Sequence, residues 1–313
     1  MENNLKLGLA LGSGGARGLA HIGVLEVLER KGIKIDMLSG TSMGAFIGSV
    51  YASGIKPAEI EKIALSFRKI EKFKLFKPSI PISGITNGKS IENSLNEYIG
   101  GKNFKDLDIP FACVATEFYE GKSVVFYEGD VLSSVRASLS IPVLIKPKKI
   151  ENNIYIDGGL SDPVPVSILR KMGADIVIAV NVINNPRRSK CVQSYIDDEV
   201  VRNKASEKTK EIILRDMIVD KIERIAKAIP EMIENKIMSD IPAINVVATK
   251  IFEIAESKIA EHRLIIDKPD ILIEPYTYYA SIMDFEMAPK IIYQGKRATL
   301  KKIDEIKKIM RGN

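Results

Sequence analysis

LKLGLALGSGGARGLAHIGVLEVLERKGIKIDMLSGTSMGAFIGSVYASG, residues 5 to 54, decides the fold. Leu5 to Leu11 reads as a strand, Gly12 to Gly18 as a glycine-rich turn, and Leu19 to Arg30 as a helix stopped at Gly32, a residue suited to a left-handed C-cap. Ile35 to Ser39 is the next strand, Gly40 to Gly44 a sharp turn, and Ala45 to Ser53 a helix closed by Gly54. Two successive βα units laid side by side begin a parallel sheet.

The same alternation continues outward. Pro57, at a first helical position, opens a helix to about Ile70. Further strands are expected at Ile109 to Ala115, Ser123 to Tyr127, Ile154 to Ile156, Ile176 to Val182 and Ile271 to Ile273, a sheet of six or more. Apolar runs alternating with amphipathic stretches are the pattern of an α/β fold, a mainly parallel sheet covered by helices on both faces. Between Pro186 and His262 strand-like runs vanish and apolar residues recur at helical spacing, as in Ile218, Ile222, Ile225, Ile229 and Ile233. Residues 184–262 therefore read as a helical insertion, with 1–183 and 263–313 forming the catalytic-type domain. The mixed charges of the insertion suit a solvated outer face over a packed inner one.

The chain has 313 residues, 45% hydrophobic and 27% charged, the balance of a globular protein. Its net charge of +6 is a small remainder of 46 basic and 40 acidic side chains, a weak pull toward an anionic surface. A nucleic-acid partner is not expected. Of the two cysteines, Cys113 lies in an apolar strand-like run, so no bridge to Cys191 is expected. Met1 to Lys6 leads into a strand without a secretory pattern, and no stretch approaches the roughly 20 apolar residues of a membrane span. The reading is cytoplasmic, with peripheral contact on the inner membrane surface.

Chemistry begins at Gly40-Thr41-Ser42-Met43-Gly44, a G-x-S-x-G pentapeptide between strand and helix. A nucleophile elbow needs glycines on both sides because the turn is tight and lifts the Ser hydroxyl to the helix N-terminus. The plainer alternative is a strand-to-helix turn whose Ser42 caps the helix. A second element, Gly12-Ser13-Gly14-Gly15-Ala16-Arg17-Gly18, also joins strand to helix and presents backbone N–H groups to an anion. A dinucleotide-binding turn fits less well, since Arg17 stands where G-x-G-x-x-G requires glycine; an oxyanion hole asks for the same donors. The third element is Asp157-Gly158-Gly159 after the apolar Ile154-Tyr155-Ile156. Asp-Gly is commonly a mere turn former, but here it is expected at the same end of the sheet as Ser42.

A Ser-His-Asp triad needs a histidine, and the chain has two, His21 and His262. His21 shares a helical face with Val24, Leu25 and Leu28 and reads as a core residue. His262 ends a helical run with Ile251 and Ala255 near its own face, which suits packing or a helix C-terminal charge. Ser42 with Asp157 as general base is the more economical assignment; an esterase using His262 is the alternative.

Strand-GSGGARG-helix, strand-GTSMG-helix and strand-DGG, in that order, resemble the patatin-like phospholipase family. So do Leu19 to Gly23, Arg136 to Pro142, Asp284-Phe285 and Ile291 to Gly295. The resemblance covers roughly residues 5 to 183 and 265 to 300. It implies a three-layer α/β/α sandwich and a Ser-Asp dyad without histidine, with Ser42 the nucleophile, Asp157 the base, and Gly14, Gly15, Ala16 and Arg17 in the oxyanion loop. Ser13 departs from the family pattern, in which glycine is common there.

The expected activity is lipid acyl ester hydrolysis of phospholipase A or lysophospholipase type, with no cofactor and no metal. A catalytically weak lipid-binding or regulatory protein on the same fold is the other class. Because an ordinary carboxylate, with a pKa of about 3.9, is a poor base for a hydroxyl, burial of Asp157 or the oxyanion loop must lower the barrier. Residues 67–77 interleave apolar side chains with five Lys or Arg and one Glu, and suggest a docking edge for an anionic membrane. The bland alternative is a helix end whose Phe67 and Ile70 enter the core.

Overall fold

Strand β1 (Leu7–Leu11) is buried at every position, as an uninterrupted apolar run demands when both faces of a strand are covered. The structure, a computed structural model, describes residues 5–70, 88–183 and 244–311. After β1 follow α1 (Ala20–Arg30), β2 (Met37–Thr41), α2 (Met43–Ala52), α3 (Pro57–Ile70), α4 (Lys89–Ile99), β3 (Phe111–Glu117), β4 (Ser123–Phe126) and α5 (Val131–Ser138). Then come β5 (Lys148–Ile150), β6 (Asn153–Asp157), α6 (Val166–Lys171), β7 (Ile176–Val180), α7 (Ile244–Asp267), β8 (Ile271–Ile273) and α8 (Ala288–Met310). Both βα units read from residues 5 to 54 are present, each strand beginning two residues late, at Leu7 for Leu5 and Met37 for Ile35.

The eight strands make one sheet, paired along β5-β6-β3-β2-β1-β7-β8 with β4 also on β3. The β8, β7, β1, β2 and β3 pairings are parallel, and those joining β4, β5 and β6 are antiparallel. Alternation along the strands sets three layers. Leu7, Leu9, Leu11, Ile176, Ile178 and Val180 enter the core shared with α1, α2 and α8. Ala10, Val177 and Ala179 pack instead with Val166, Leu169 and Ala260 of α6 and α7. The two faces of each strand thus bury against different helices, and the α/β/α sandwich follows.

The chain divides into two compact units, Met1–Asn184 with Ala248–Asn313, and Asn185–Val247. All but the last four residues of the second lie outside the described residues, including the apolar spacing from Ile218 to Ile233 and Cys191. Residues 248–262, assigned to the insertion by their helical spacing, belong to the sheet-bearing unit, because Phe252, Glu256 and Ala260 form a buried stripe along α7. The docking edge expected at 67–77 also falls largely outside: α3 ends at Ile70, residues 71–77 are not described, and neither are the side chains of 67–70. Among the described residues no helix is long and apolar enough to cross a membrane.

Candidate active site

β3 brings the expected site together. β2 pairs with it from Leu38 to Thr41, opposite Phe111 to Val114. One residue further on, β6 pairs in the opposite direction, with Asp157 opposite Ala115, while β4 occupies the other edge from Cys113 to Thr116. β2 and β6 therefore run toward each other along one edge of β3 and stop tip to tip. Ser42 follows the last residue of one, and Asp157 is the last residue of the other. The two share a level in the sheet, as expected, but opposed strands deliver them.

Ser42 adopts φ 54° and ψ −118°, a strained conformation for a residue with a Cβ. Its N–H donates to Ser138 Oγ at 2.8 Å, and its carbonyl accepts from Phe46 N–H at 3.0 Å. The hydroxyl does not cap α2; it donates to Asp157 Oδ2 at 2.6 Å. Gly44 permits the turn by close approach, since a Cβ there would overlap the Leu11 carbonyl.

Asp157 is wholly buried. Its N–H donates to the Ser140 carbonyl at 2.9 Å, and its Oδ1 accepts from Gly159 N–H at 2.8 Å. Burial pushes the carboxyl up to about 8, against the hydrogen bonds from Ser42 and Gly159 and with the negative charge of Glu256 in support. Sequence reasoning asked either for burial of Asp157 or for help from the glycine-rich loop, and the structure gives the side chain the first.

In the glycine-rich loop, Gly12 and Ser13 N–H donate to the Val180 and Pro163 carbonyls, Ala16 N–H to Ile282 O at 2.9 Å and Arg17 N–H to Gly14 O at 3.2 Å. Among the described residues this leaves Gly14 and Gly15 N–H without a partner, which narrows the four-residue donor set expected from sequence. Gly15 has φ 58°, and a Cβ on it would overlap the Ile282 carbonyl. The Arg17 side chain is buried and turned away from solvent, its Nε donating to Gly14 O at 3.2 Å and its Nη1 standing 3.5 Å from Glu253.

His21 is buried, as expected, and its Nε2–H donates to the Gly12 carbonyl at 2.7 Å; burial pushes its pKa down to about 4. His262 is exposed and α7 continues five residues beyond it to Asp267, so the expected packing or terminal duty is corrected. Ile251, used to place it against the core, is 62% exposed. The direct Ser42–Asp157 hydrogen bond leaves no place for an imidazole between them.

Ser42 and Gly15 open onto a cavity. Its walls are apolar: Phe46, Ile47 and Val50 from α2, Ile60 and Ala64 from α3, and Ile91 from α4. Sequence reasoning missed Ser138 and Ser140, which position the pair, and Glu256, which accepts a hydrogen bond from Ser13 Oγ. The signal for Glu256 was a carboxylate on the apolar Phe252-to-Ala260 stripe of a helix.

Residues 9–170 match the family model described as patatin-like phospholipase. An NTE family protein of Mycobacterium bovis is 38% identical over 177 residues, 56% of this chain and 49% of that one. Lysophospholipase NTE1 of Coccidioides immitis is 36% identical over 180 residues, 56% of this chain and 11% of its own length. This chain thus spans half or less of these relatives. VipD from Legionella pneumophila superposes with a TM-score of 0.45 at 14% identity, covering 96% of this chain and 67% of that one. With more than half of its residues matched to that model, the chain belongs to the patatin-like phospholipase family.

Proposed function

We propose that the chain is a lipid acyl ester hydrolase of phospholipase A or lysophospholipase type, with Ser42 as nucleophile and Asp157 as base. The observation that carries this reading is the 2.6 Å bond from Ser42 Oγ to a buried carboxylate, at an apolar cavity that suits an acyl chain. The lysophospholipase name of the fungal relative points to the same substrate class.

Asp157 takes the Ser42 proton as Oγ bonds to the ester carbonyl carbon, and the carbonyl oxygen becomes an oxyanion facing the N–H groups of Gly14 and Gly15. Collapse breaks the bond to the alcohol, which leaves with the proton from Asp157. Water then loses a proton to Asp157 and attacks the acyl-enzyme, and Ser42 regains its proton as the fatty acid departs. The high proton affinity of Asp157 makes each abstraction less uphill than for an exposed aspartate. The hydrophobic walls also exclude water from the oxyanion, which strengthens its hydrogen bonds.

The test is fluorophosphonate labelling together with hydrolysis of a panel of phospholipids, lysophospholipids and glycerides. Wild type should label at Ser42 and release fatty acid; Ser42→Ala should do neither. A Ser42→Ala variant that still releases fatty acid at the wild-type rate would sink the reading.

A further inference from the structure

A second wholly buried carboxyl stands near Asp157. Glu256, on α7, has no exposed surface. Its Oε1 accepts from Ser13 Oγ, and among the described residues its Oε2 has no hydrogen-bond partner. A Cβ built on Gly159 would stand 2.7 Å from Glu256 Oε1, 3.1 Å from Asp157 Oδ1 and 3.2 Å from Ser13 Oγ. One missing methyl group thus separates the two carboxyls and the serine of the glycine-rich loop, and glycine at 159 is what lets them approach. Among the described residues neither carboxyl has a full counter-ion: the buried Arg17, which faces Glu256, also faces Glu253 and Asp284.

Such an arrangement is costly, because burying a charge without a well-formed pair destabilises a fold. A glutamate on the apolar stripe of α7 would pack more favourably as leucine. What it does at this place is chemical. Through Ser13 it holds the loop immediately before Gly14 and Gly15, and through space it sets a negative charge beside the carboxyl that accepts the Ser42 proton.

We propose that Glu256 is a positioning residue of the site, which fixes the oxyanion loop through Ser13 and raises the basicity of Asp157 by its charge. This rests on the dyad reading above. Burial is the largest influence on Glu256 itself, raising its carboxyl to about 7, while Arg17 and the Ser13 hydroxyl draw it down and Glu253 adds to the rise. The charged or titratable groups facing it are therefore Arg17 from the loop, Asp157 from the end of β6 and Glu253 from its own helix. With like charges so close, ionisation of either carboxyl hinders ionisation of the other, so the two lose protons in linked steps.

Glu256→Gln separates the charge from the contact, since its amide oxygen still accepts from Ser13. We expect the acid limb of kcat/KM on a soluble short-chain ester to move down by about one pH unit, with KM unchanged. The plateau kcat should fall about tenfold, less than the 10² to 10³ that loss of an oxyanion donor costs. A residue that only filled space would change melting temperature and active fraction but leave the limb in place, and an unmoved limb overturns the proposal. Should Glu256→Gln not fold, carboxyl ¹³C titration of the wild-type chain decides. The Asp157 resonance should show two inflections, its own and that of Glu256, and a single inflection overturns the coupling. That titration needs no turnover, so it separates a failure of this inference from a failure of the hydrolase reading.

Discussion

Asp157 is the residue on which chemistry and stability pull in opposite directions. Its folded-state proton affinity, raised by burial to about 8 from 3.8, makes it a better base. The same shift has a cost for the fold. Between pH 3.8 and about 8 the unfolded chain binds fewer protons at this side chain than the folded one, so its contribution to stability falls as pH rises through that window. Asp157→Asn should abolish hydrolysis and yet melt higher than wild type at pH 8 to 9, by about 2–4 °C for each kcal/mol recovered. The two should converge toward pH 4; a variant that melts below wild type at pH 9 contradicts the origin assigned to the shift. In the active protein, kcat/KM should rise with pH through about 8, because the base works only when ionised. Ser42 has its own demand. Its positive φ is held by Ser138 Oγ, so Ser138→Ala should lower kcat by about tenfold or more without changing KM, short of the loss from an oxyanion donor. An unchanged kcat would mean that the helix and Asp157 hold the elbow alone.

Elements, more than residues, set what enters the site. α2 starts directly after Ser42 and carries Phe46, Ile47 and Val50 along the cavity, which Ile60 and Ala64 of α3 also line. From Ser42 to Val50 is eight residues, about 12 Å of helix. A side chain grown from Val50 should therefore block the deep end and spare the mouth. Val50→Phe should leave hydrolysis of butyryl and hexanoyl esters near wild type while lowering it on palmitoyl esters by tenfold or more, measured as kcat/KM across the series. Equal losses at all lengths would show that the acyl chain lies elsewhere. Much of this architecture was legible in residues 5 to 54, because strand, glycine turn and helix follow one another without long-range help, and the G-x-S-x-G and Asp-Gly-Gly segments fell at element ends. What was not legible depended on distant pairing. No local pattern says that β6 opposes β2 along one edge of β3. The glycine-rich loop could be read as a set of N–H donors, but not that Ala16 gives its own to Ile282. α7 misled because Ile251 and Ala255 suggested one face, whereas the stripe through Phe252 and Glu256 is buried.

At the scale of the whole molecule, the half that carries Ser42 and Asp157 does not complete itself. Residues 9–170 match the family model and contain Ser42, Asp157 and the glycine-rich loop, yet three contacts that fix the loop come from beyond them. Ala16 N–H is received by Ile282 and Gly12 N–H by Val180, and Ser13 Oγ by Glu256. The C-terminal helix closes the arrangement: α8 crosses α1 so closely that a Cβ on Gly295 would overlap the Ala20 carbonyl, and one on Gly23 the Ile292 carbonyl. α1 begins directly after the loop, so its docking on α8 anchors the loop from behind. Two crossing glycines with backbone against backbone leave no side chain able to move aside. Gly295→Val should therefore cost at least the 1–3 kcal/mol typical of overpacking, read as a lower urea midpoint with an unchanged slope. If the crossing also supports the loop, Gly295→Val should slow fluorophosphonate labelling of Ser42 at temperatures where the variant is still folded by near-ultraviolet circular dichroism. A variant with lowered stability but wild-type labelling would confine α8 to holding the fold, and one with unchanged stability would show that the two helices can part without loss.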